Sequence, residues 1–310
     1  MIRPFAEEDG DAIAALLNED VVPHALTGDG LRHWIASQPE RARARSWVAV
    51  EEGDVVGWVR ARLQWSTKAE GVAEVWAFVV PARRRRGLGA GLYETAFAHL
   101  EAVGARVLES WAVGEEGGGF LLARGFRAER AVHRLRLDLA TATADTSALA
   151  GLRAAKEAEG YSLVALGDVA DRVEQLYEVD AAAMADVPHL HVEDDVRLED
   201  WLEEALQHPQ LSREGSFVVL AGDLPVAHTF LHVDPATGLA AHEMTATRTD
   251  HRRRGLARLA KLASTAWARE EGFEAILTDT DEENIGMLRL NESLGYRGVG
   301  TETDYIREIS

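Results

Sequence analysis

One pattern occurs twice in this chain, and that repetition limits its possible folds more than any other feature. Arg84-Arg85-Arg86-Gly87-Leu88-Gly89-Ala90 returns as Arg252-Arg253-Arg254-Gly255-Leu256-Ala257-Arg258, each copy opening an amphipathic helix. A second matched element follows each copy: Leu121-Leu122-Ala123-Arg124-Gly125-Phe126 in the first half and Asn291-Glu292-Ser293-Leu294-Gly295-Tyr296 in the second. A chain of 310 residues with such a repeat reads as two copies of one domain, each long enough to bury its own core. The domains are expected at 1–145 and 146–310, divided in the small-residue, polar stretch 139–147.

The element order agrees between the halves. In the first, a strand at 2–5 and helices near 11–17 and 30–37 precede the apolar runs Trp47-Val48-Ala49-Val50 and Val55-Val56-Gly57-Trp58-Val59. The connection Glu51-Glu52-Gly53-Asp54 makes those runs a hairpin. A long strand at 72–80 ends at Pro81, and Leu88, Leu92, Ala96 and Leu100 then recur at helical spacing up to Gly104. A strand at 106–111 and a short helix complete the half. The second half repeats this with strands at 162–165, 217–220, 225–231 and 242–247, and a helix marked by Leu256, Leu259, Ala263 and Trp267 that ends near Gly272.

Charge and composition exclude several function classes. A net charge of -19 repels a nucleic-acid backbone, so the short arginine runs are local basic spots and no nucleic-acid partner is expected. The acidic balance suits a cationic acceptor such as an amine and serves solubility equally well. With no cysteine there is no disulfide, thiolate metal site or cysteine nucleophile, so any acyl transfer uses another nucleophile or passes directly from donor to acceptor. No apolar run approaches the ~20 residues that span a bilayer, and the first residues lack a signal-peptide core, which points to a cytoplasmic protein without a membrane partner.

The arginine turn lies between a strand and a helix, where unpaired amides and the helix dipole favour an anion. Gly87 and Gly89 let the backbone close around a phosphate without a Cβ in the way. The turn is neither a Walker loop nor a Rossmann Gly-x-Gly-x-x-Gly.

Arg-x-x-Gly-x-Gly/Ala after a strand, with a Gly-aromatic pair downstream, resembles the acetyl-CoA-binding motif of the GCN5-related N-acetyltransferases (GNAT). The resemblance extends over nearly the whole chain, and the layout is similar to the two-domain, mycothiol synthase type of member. In the second half, Thr245-Ala246-Thr247 before His251-Arg252, Lys261 in the helix, and the run from Asn284 to Tyr296 strengthen the match. The resemblance implies an α/β (α+β) fold in two tandem domains, each a mixed, mostly antiparallel sheet flanked by helices. It also implies acetyl-CoA as cosubstrate. Arg84, Arg85, Arg86, Gly87, Leu88, Gly89 and Ala90, and Arg252, Arg253, Arg254, Gly255, Leu256 and Ala257, would offer main-chain amides to the CoA pyrophosphate. Val79, Val80 and Thr247 at the strand ends would pair with the pantetheine arm, and Asn284 would contact CoA. Both copies carry arginine, Arg85 and Arg253, where the family commonly has glycine, which suits a side chain pointing outward.

The implied reaction is direct attack of an amine on the thioester, which needs a base, a donor to the oxyanion and a route for the thiolate to leave. Many relatives place an acid tyrosine where this chain has Leu121 and Asn291. The long strand borders the thioester in the family, making Glu74, His242 and Glu243 the candidate bases. The family's strand glutamate falls at Ala73 and Ala241, and a one-residue bulge would change which neighbour faces in. His228 and His232 are further candidate bases or substrate contacts. The segment Asp186-Val187-Pro188-His189-Leu190-His191-Val192-Glu193-Asp194-Asp195 could hold a metal, wall the acceptor site, or be an inert acidic loop; no metal is expected.

The second half has the more polar strand and Asn284 and Asn291, whereas the first has Gly117-Gly118-Gly119. The C-terminal domain is therefore expected to be catalytic, transferring an acetyl group to a small amine, with the N-terminal domain a weak CoA binder or a scaffold. The alternatives are a non-catalytic CoA-binding or sensing module, and an acyltransferase using a longer acyl-CoA or a protein amine. The expected state is a monomer or homodimer.

Overall fold

The computed structural model describes residues 1–18, 25–141, 146–184 and 190–309. The boundary expected at residue 145, and Asp186 to His189 of the acidic loop, lie outside the described residues. Along the first half the elements are β1 (Ile2–Pro4), α1 (Gly10–Asn18), α2 (Gly28–Ala36), β2 (Arg45–Glu51), β3 (Asp54–Leu63), β4 (Val72–Val79), α3 (Leu88–Ala102), β5 (Val107–Val113), α4 (Gly114–Leu122) and β6 (Arg127–Asp138). The second half has α5 (Thr146–Ala158), β7 (Tyr161–Ala165), α6 (Val173–Met184), α7 (Leu198–Trp201), β8 (Phe217–Ala221), β9 (Leu224–Asp234), β10 (Leu239–Thr247), α8 (Leu256–Glu270), β11 (Ala275–Asp281), α9 (Ile285–Leu294) and β12 (Arg297–Glu308).

These elements form two compact units. Unit 1 comprises the described parts of Met1–Val132, His189–Asp200 and Gly300–Ser310; unit 2 comprises those of His133–Pro188 and Trp201–Val299. The repeat halves and the compact units are thus different divisions of the chain. β12, from the end of the chain, pairs antiparallel with β5 in unit 1, from Glu302 opposite Val113 to Glu308 opposite Val107.

In unit 1 the strands run in the order β1-β2-β3-β4-β5-β12, all neighbours antiparallel except β4 and β5. Alternation along β4 sends Ala73 and Val75 toward α3, whose Leu92, Tyr93, Ala96 and Leu100 form a buried stripe. Trp76 and Phe78 go to the opposite face, against α1 and α2. Unit 2 repeats the plan in the order β7-β8-β9-β10-β11-β6, with β10 and β11 parallel. Leu256, Leu259, Leu262 and Ala263 of α8 pack on one face, and Val179 and Ala183 of α6 pack against Ala246 on the other. Each unit is therefore the mixed, mostly antiparallel sheet with flanking helices expected from the sequence. Each fully buried leucine contributes about 1.5–3 kcal/mol of transfer free energy, so the two helix stripes are large terms in each unit's stability.

Two features of the central strands position the site. The parallel ladder is short in both units: Val72 to Glu74 against Val107 to Glu109, and Leu239 to Ala241 against Ala275 to Leu277. Beyond it the two strands no longer pair. The second feature differs between the units, because β4 has 8 residues and β10 has 9. The extra residue is taken up by a register shift between His242 and Thr245, and a bulge of this kind re-aims the side chains around it.

Candidate active site

The two arginine turns fold almost identically. After a short 3-10 turn, Arg84 is extended (φ -65°, ψ 163°), and so is Arg252 (φ -67°, ψ 162°). Arg85 (φ 63°) and Arg253 (φ 58°) are left-handed, and so are the helix-capping residues Gly87 (φ 85°) and Gly255 (φ 78°). A left-handed arginine costs about 1–3 kcal/mol, which explains why glycine is common there, and both side chains are exposed. The turn brings successive amides and the helix N-terminus to one spot, as an anion nest requires. Arg84 Nε donates to Val79 O at 2.8 Å and Arg252 Nε to Thr247 O at 3.1 Å, tying each turn to the end of its strand. Val80 N–H is taken up by Val56 O at 3.0 Å, while Arg254 donates to Tyr161 Oη at 2.9 Å.

In unit 1 the nest opens onto a cavity of about 430 Å³ between β4, β5, α3 and α4. Of the expected residues, Val79, Arg84, Arg85, Gly87, Gly89 and Ala90 line it; Val80, Arg86 and Leu88 lie outside the lining. Tyr93, Leu121 and Arg124 close its far wall. Its size, guanidinium groups and nest amides fit a phosphate-bearing ligand with an apolar arm.

On the opposite face of unit 1 indoles cluster, and two of them, Trp76 and Trp111, also line the cavity. Trp76 and Trp111 stack at 4.2 Å where β4 and β5 cease to pair, and Trp58 meets Trp76 edge-on at 5.2 Å. Trp34 adds a fourth indole, over which the Arg60 guanidinium lies at 3.4 Å. Glu74 is bound here by Arg60 and, at 3.2 Å, by Arg62. Burial opposes its charge, yet the two guanidiniums overcome that penalty and hold the carboxyl down at about 2. As a buried ion-pair partner at that value, Glu74 is a poor proton acceptor.

In unit 2 the bulge separates two neighbours. His242 turns into the core, 4% exposed, with Nδ1 2.8 Å from Tyr296 Oη and Nε2 3.0 Å from Ser264 Oγ. Burial, with Lys261 adding to it, pushes the imidazole well below its usual range. With both nitrogens engaged, His242 is a core residue rather than the base its place on the strand suggested.

Glu243 turns to the other face and lies 3.6 Å from His232 Nδ1; His232 stacks on His208 at 4.2 Å. Asp279 of β11 belongs to the same charged group, bound by Arg134 of β6 at 2.7 Å. The surrounding protein raises the Glu243 carboxyl, Arg134 opposing. Asp279 is raised by the same crowding, again against Arg134, and further by the Glu243 charge. Water reaches about half of each side chain, 50% and 49%, and tempers the penalty.

The remaining candidates are placed as follows. His228 is fully buried, stacked on Phe230 at 4.1 Å, with Nε2 2.8 Å from Asp180 Oδ1 but off a hydrogen-bond axis. Asn284 caps α9, its Oδ1 accepting from Met287 N at 3.1 Å. Asn291 is buried and donates to Thr280 Oγ1 at 3.0 Å, while its own Oδ1 has no hydrogen bond. In the acidic loop, His191 Nδ1 sits 2.9 Å from both Glu109 oxygens, and Asp194 accepts from Lys68 N at 2.8 Å, docking 190–195 within unit 1. Among the described residues no group of side chains is arranged to hold a metal ion, and no helix is long and apolar enough to cross a membrane.

Asp279, Arg134 and His208 were not marked by the sequence. Their signal was weak: Asp279 is one acid in the alternating Thr278-Asp279-Thr280, and Arg134 lies on a strand far away in the chain.

Comparison with known proteins agrees with this geometry. The acetyltransferase (GNAT) family pattern matches residues 11–118 and 173–296. A mycothiol acetyltransferase of Thermobifida fusca (strain YX) is 28% identical over 305 residues, covering 94% of this chain and 88% of the relative. A second mycothiol acetyltransferase, of Nocardioides sp., is 26% identical over 283 residues, covering 87% of each chain. Among solved structures, a tandem GNAT protein from the clavulanic acid biosynthesis pathway superposes with a TM-score of 0.75 at 20% identity, over 99% of this chain and 98% of the other. Two nests on two matching sheets, both within the matched segments, make this chain a tandem N-acetyltransferase that belongs to the acetyltransferase (GNAT) family.

Proposed function

We propose that the protein transfers an acetyl group from acetyl-CoA to the amine of a small molecule by direct attack, and that unit 2 carries the chemistry. The observation that carries this reading is the setting of two neighbours on β10, His242 buried and Glu243 open to solvent beside His232 and Asp279, ahead of a register shift that unit 1 lacks. The bound cosubstrate supplies the thioester electrophile. The amides from Arg252 to Ala257 would hold its pyrophosphate, and the strand end at Thr247 would guide the pantetheine arm. Asn284 and Asn291 would border the same donor side.

On the acceptor side, Glu243 takes the proton from the incoming ammonium. Its raised proton affinity suits that role better than the depressed affinity of Glu74. The excess of carboxylate over guanidinium around Glu243 and Asp279 favours a cationic acceptor. The shared name of the two relatives, mycothiol acetyltransferase, favours a small molecule over a protein amine.

Unit 1 keeps a nest and a cavity, but a stacked pair of tryptophans, Trp76 and Trp111, lines that cavity where β4 and β5 part. It would bind acetyl-CoA without turning it over, or act as a scaffold.

Thiol release from acetyl-CoA in the presence of a panel of small amines and a lysine peptide tests the reading. Turnover with a small amine and none with the peptide is expected. CoA binding with no turnover on any acceptor would contradict it and favour a CoA-binding module.

A further inference from the structure

Lys261 is one of only three lysines in a chain whose other basic residues are arginine, and it is 1% exposed on α8. Its ammonium has no ion pair and no hydrogen-bond partner among the described residues; it lies over the Tyr296 ring, 5.2 Å from Nζ to the centroid. A buried amine without a partner is costly, and its retention points to a partner that arrives with a ligand.

Its position says which part of the ligand. Lys261 lies one helical turn before Ser264, which binds His242, the first β10 residue beyond the parallel ladder. From Gly255 it is six residues along the helix, about 9 Å at the α-helical rise of 1.5 Å per residue, and therefore deeper than the phosphate nest. The repeat supports the placement: with Arg84 matched to Arg252, Lys261 matches Tyr93, which lines the unit 1 cavity. Leu121 of that cavity matches Asn291, whose Oδ1 is buried without a hydrogen bond. The positions that hold a phenol and a leucine in unit 1 thus have an amine and an amide in unit 2, on the reverse of the strand that presents Glu243.

We propose that Lys261 is the group that receives the leaving sulfur, donating a proton to the CoA thiolate as the thioester breaks. This rests on unit 2 being the working site. The acceptor nitrogen bonds to the carbonyl carbon, the carbon–sulfur bond breaks with its electron pair going to sulfur, and the ammonium gives its proton to the thiolate. Solvent then reprotonates Lys261, and Glu243 returns its proton to solvent. Asn291, at the position a family tyrosine would occupy, has no dissociable proton to offer. Lys261 does, because burial has lowered it to about 7. The titratable groups facing it are His242 from β10 and Tyr296 after α9. Burial keeps both neutral, lowering the imidazole and raising the phenol. An arginine there could not release its proton.

The test uses the full chain with Lys261→Met and Lys261→Arg. In Lys261→Met, kcat is expected to fall about 100-fold, the usual scale for losing a general acid, and its alkaline limb to disappear. The second readout is the ultraviolet absorbance of the thiolate of bound CoA as a function of pH. The thiol titrates lower on wild type and on Lys261→Arg than on Lys261→Met, and any contribution from unit 1 cancels in the difference. Unchanged pH profiles and thiol titrations in Lys261→Met, in a protein that Gly255→Glu inactivates, would overturn the role of Lys261 alone. Turnover that survives Gly255→Glu would overturn the unit 2 reading and this proposal with it.

Discussion

Units 1 and 2 share one backbone plan and diverge where a reaction would take place. Both have the left-handed arginine turn, the strand-end hydrogen bond and the three-residue parallel ladder. In unit 1 the strand then continues without a bulge, its carboxylate is neutralised by two arginines, and stacked indoles line the cavity where the two strands part. In unit 2 the strand takes up one extra residue, and of the two neighbours at its start an imidazole enters the core while a carboxylate meets solvent. On the proposed reading, a binding element is kept in duplicate while the polar groups of β10 and the aromatic ones of β4 and β5 set which copy uses it.

Three substitutions sharpen that contrast. Glu243→Gln is expected to lower kcat by about 100- to 10,000-fold and to remove the acid limb of the turnover profile, since the base must lose its proton to act. Steady-state rates across pH check it, and a loss under tenfold would break the assignment. Glu74→Ala, the counterpart in unit 1, is expected to act on stability instead. Removing the carboxylate that the two buried guanidiniums share costs about 3–5 kcal/mol, read by urea denaturation, with kcat on the folded enzyme little changed.

A third expected effect, comparable in size with the second, is a gain of stability in Lys261→Met. The folded-state value of Lys261 lies below its unfolded value, so the unfolded chain binds the extra proton and wild-type stability rises with pH between about 7 and 10.5. The advantage of the methionine variant is therefore largest near and below neutrality and shrinks through that window. Melting temperatures at pH 6.5 and 9.5 measure it.

Local chemistry made much of this legible in the sequence. The nests could be read because a strand, an arginine turn, a glycine and a helix lie in succession, and the helix stripes because Leu92, Ala96 and Leu100 keep their period. The strand between was harder. Counted back from the turns, Glu74 matches His242; counted from the parallel ladder, it matches Ala241, and the bulge that reconciles the two counts leaves no mark in composition. The tryptophan cluster of unit 1 was hidden because Trp34, Trp58, Trp76 and Trp111 meet only after folding. The pairing of β12 with β5 joins the last strand to one in the first half of the chain, which no local pattern encodes.

The central claim is that two nests serve one working site. The most direct measurement is the acetyl-transfer rate of Gly255→Glu and Gly87→Glu, compared with wild type at saturating acetyl-CoA. Both substitutions put a left-handed residue and a negative charge into a nest, and neither position has a protein atom closer than 4 Å to a new Cβ, so damage to packing is matched between them. The account predicts that Gly255→Glu abolishes turnover while Gly87→Glu keeps most of it. Greater damage from Gly87→Glu would contradict it and move the chemistry to unit 1.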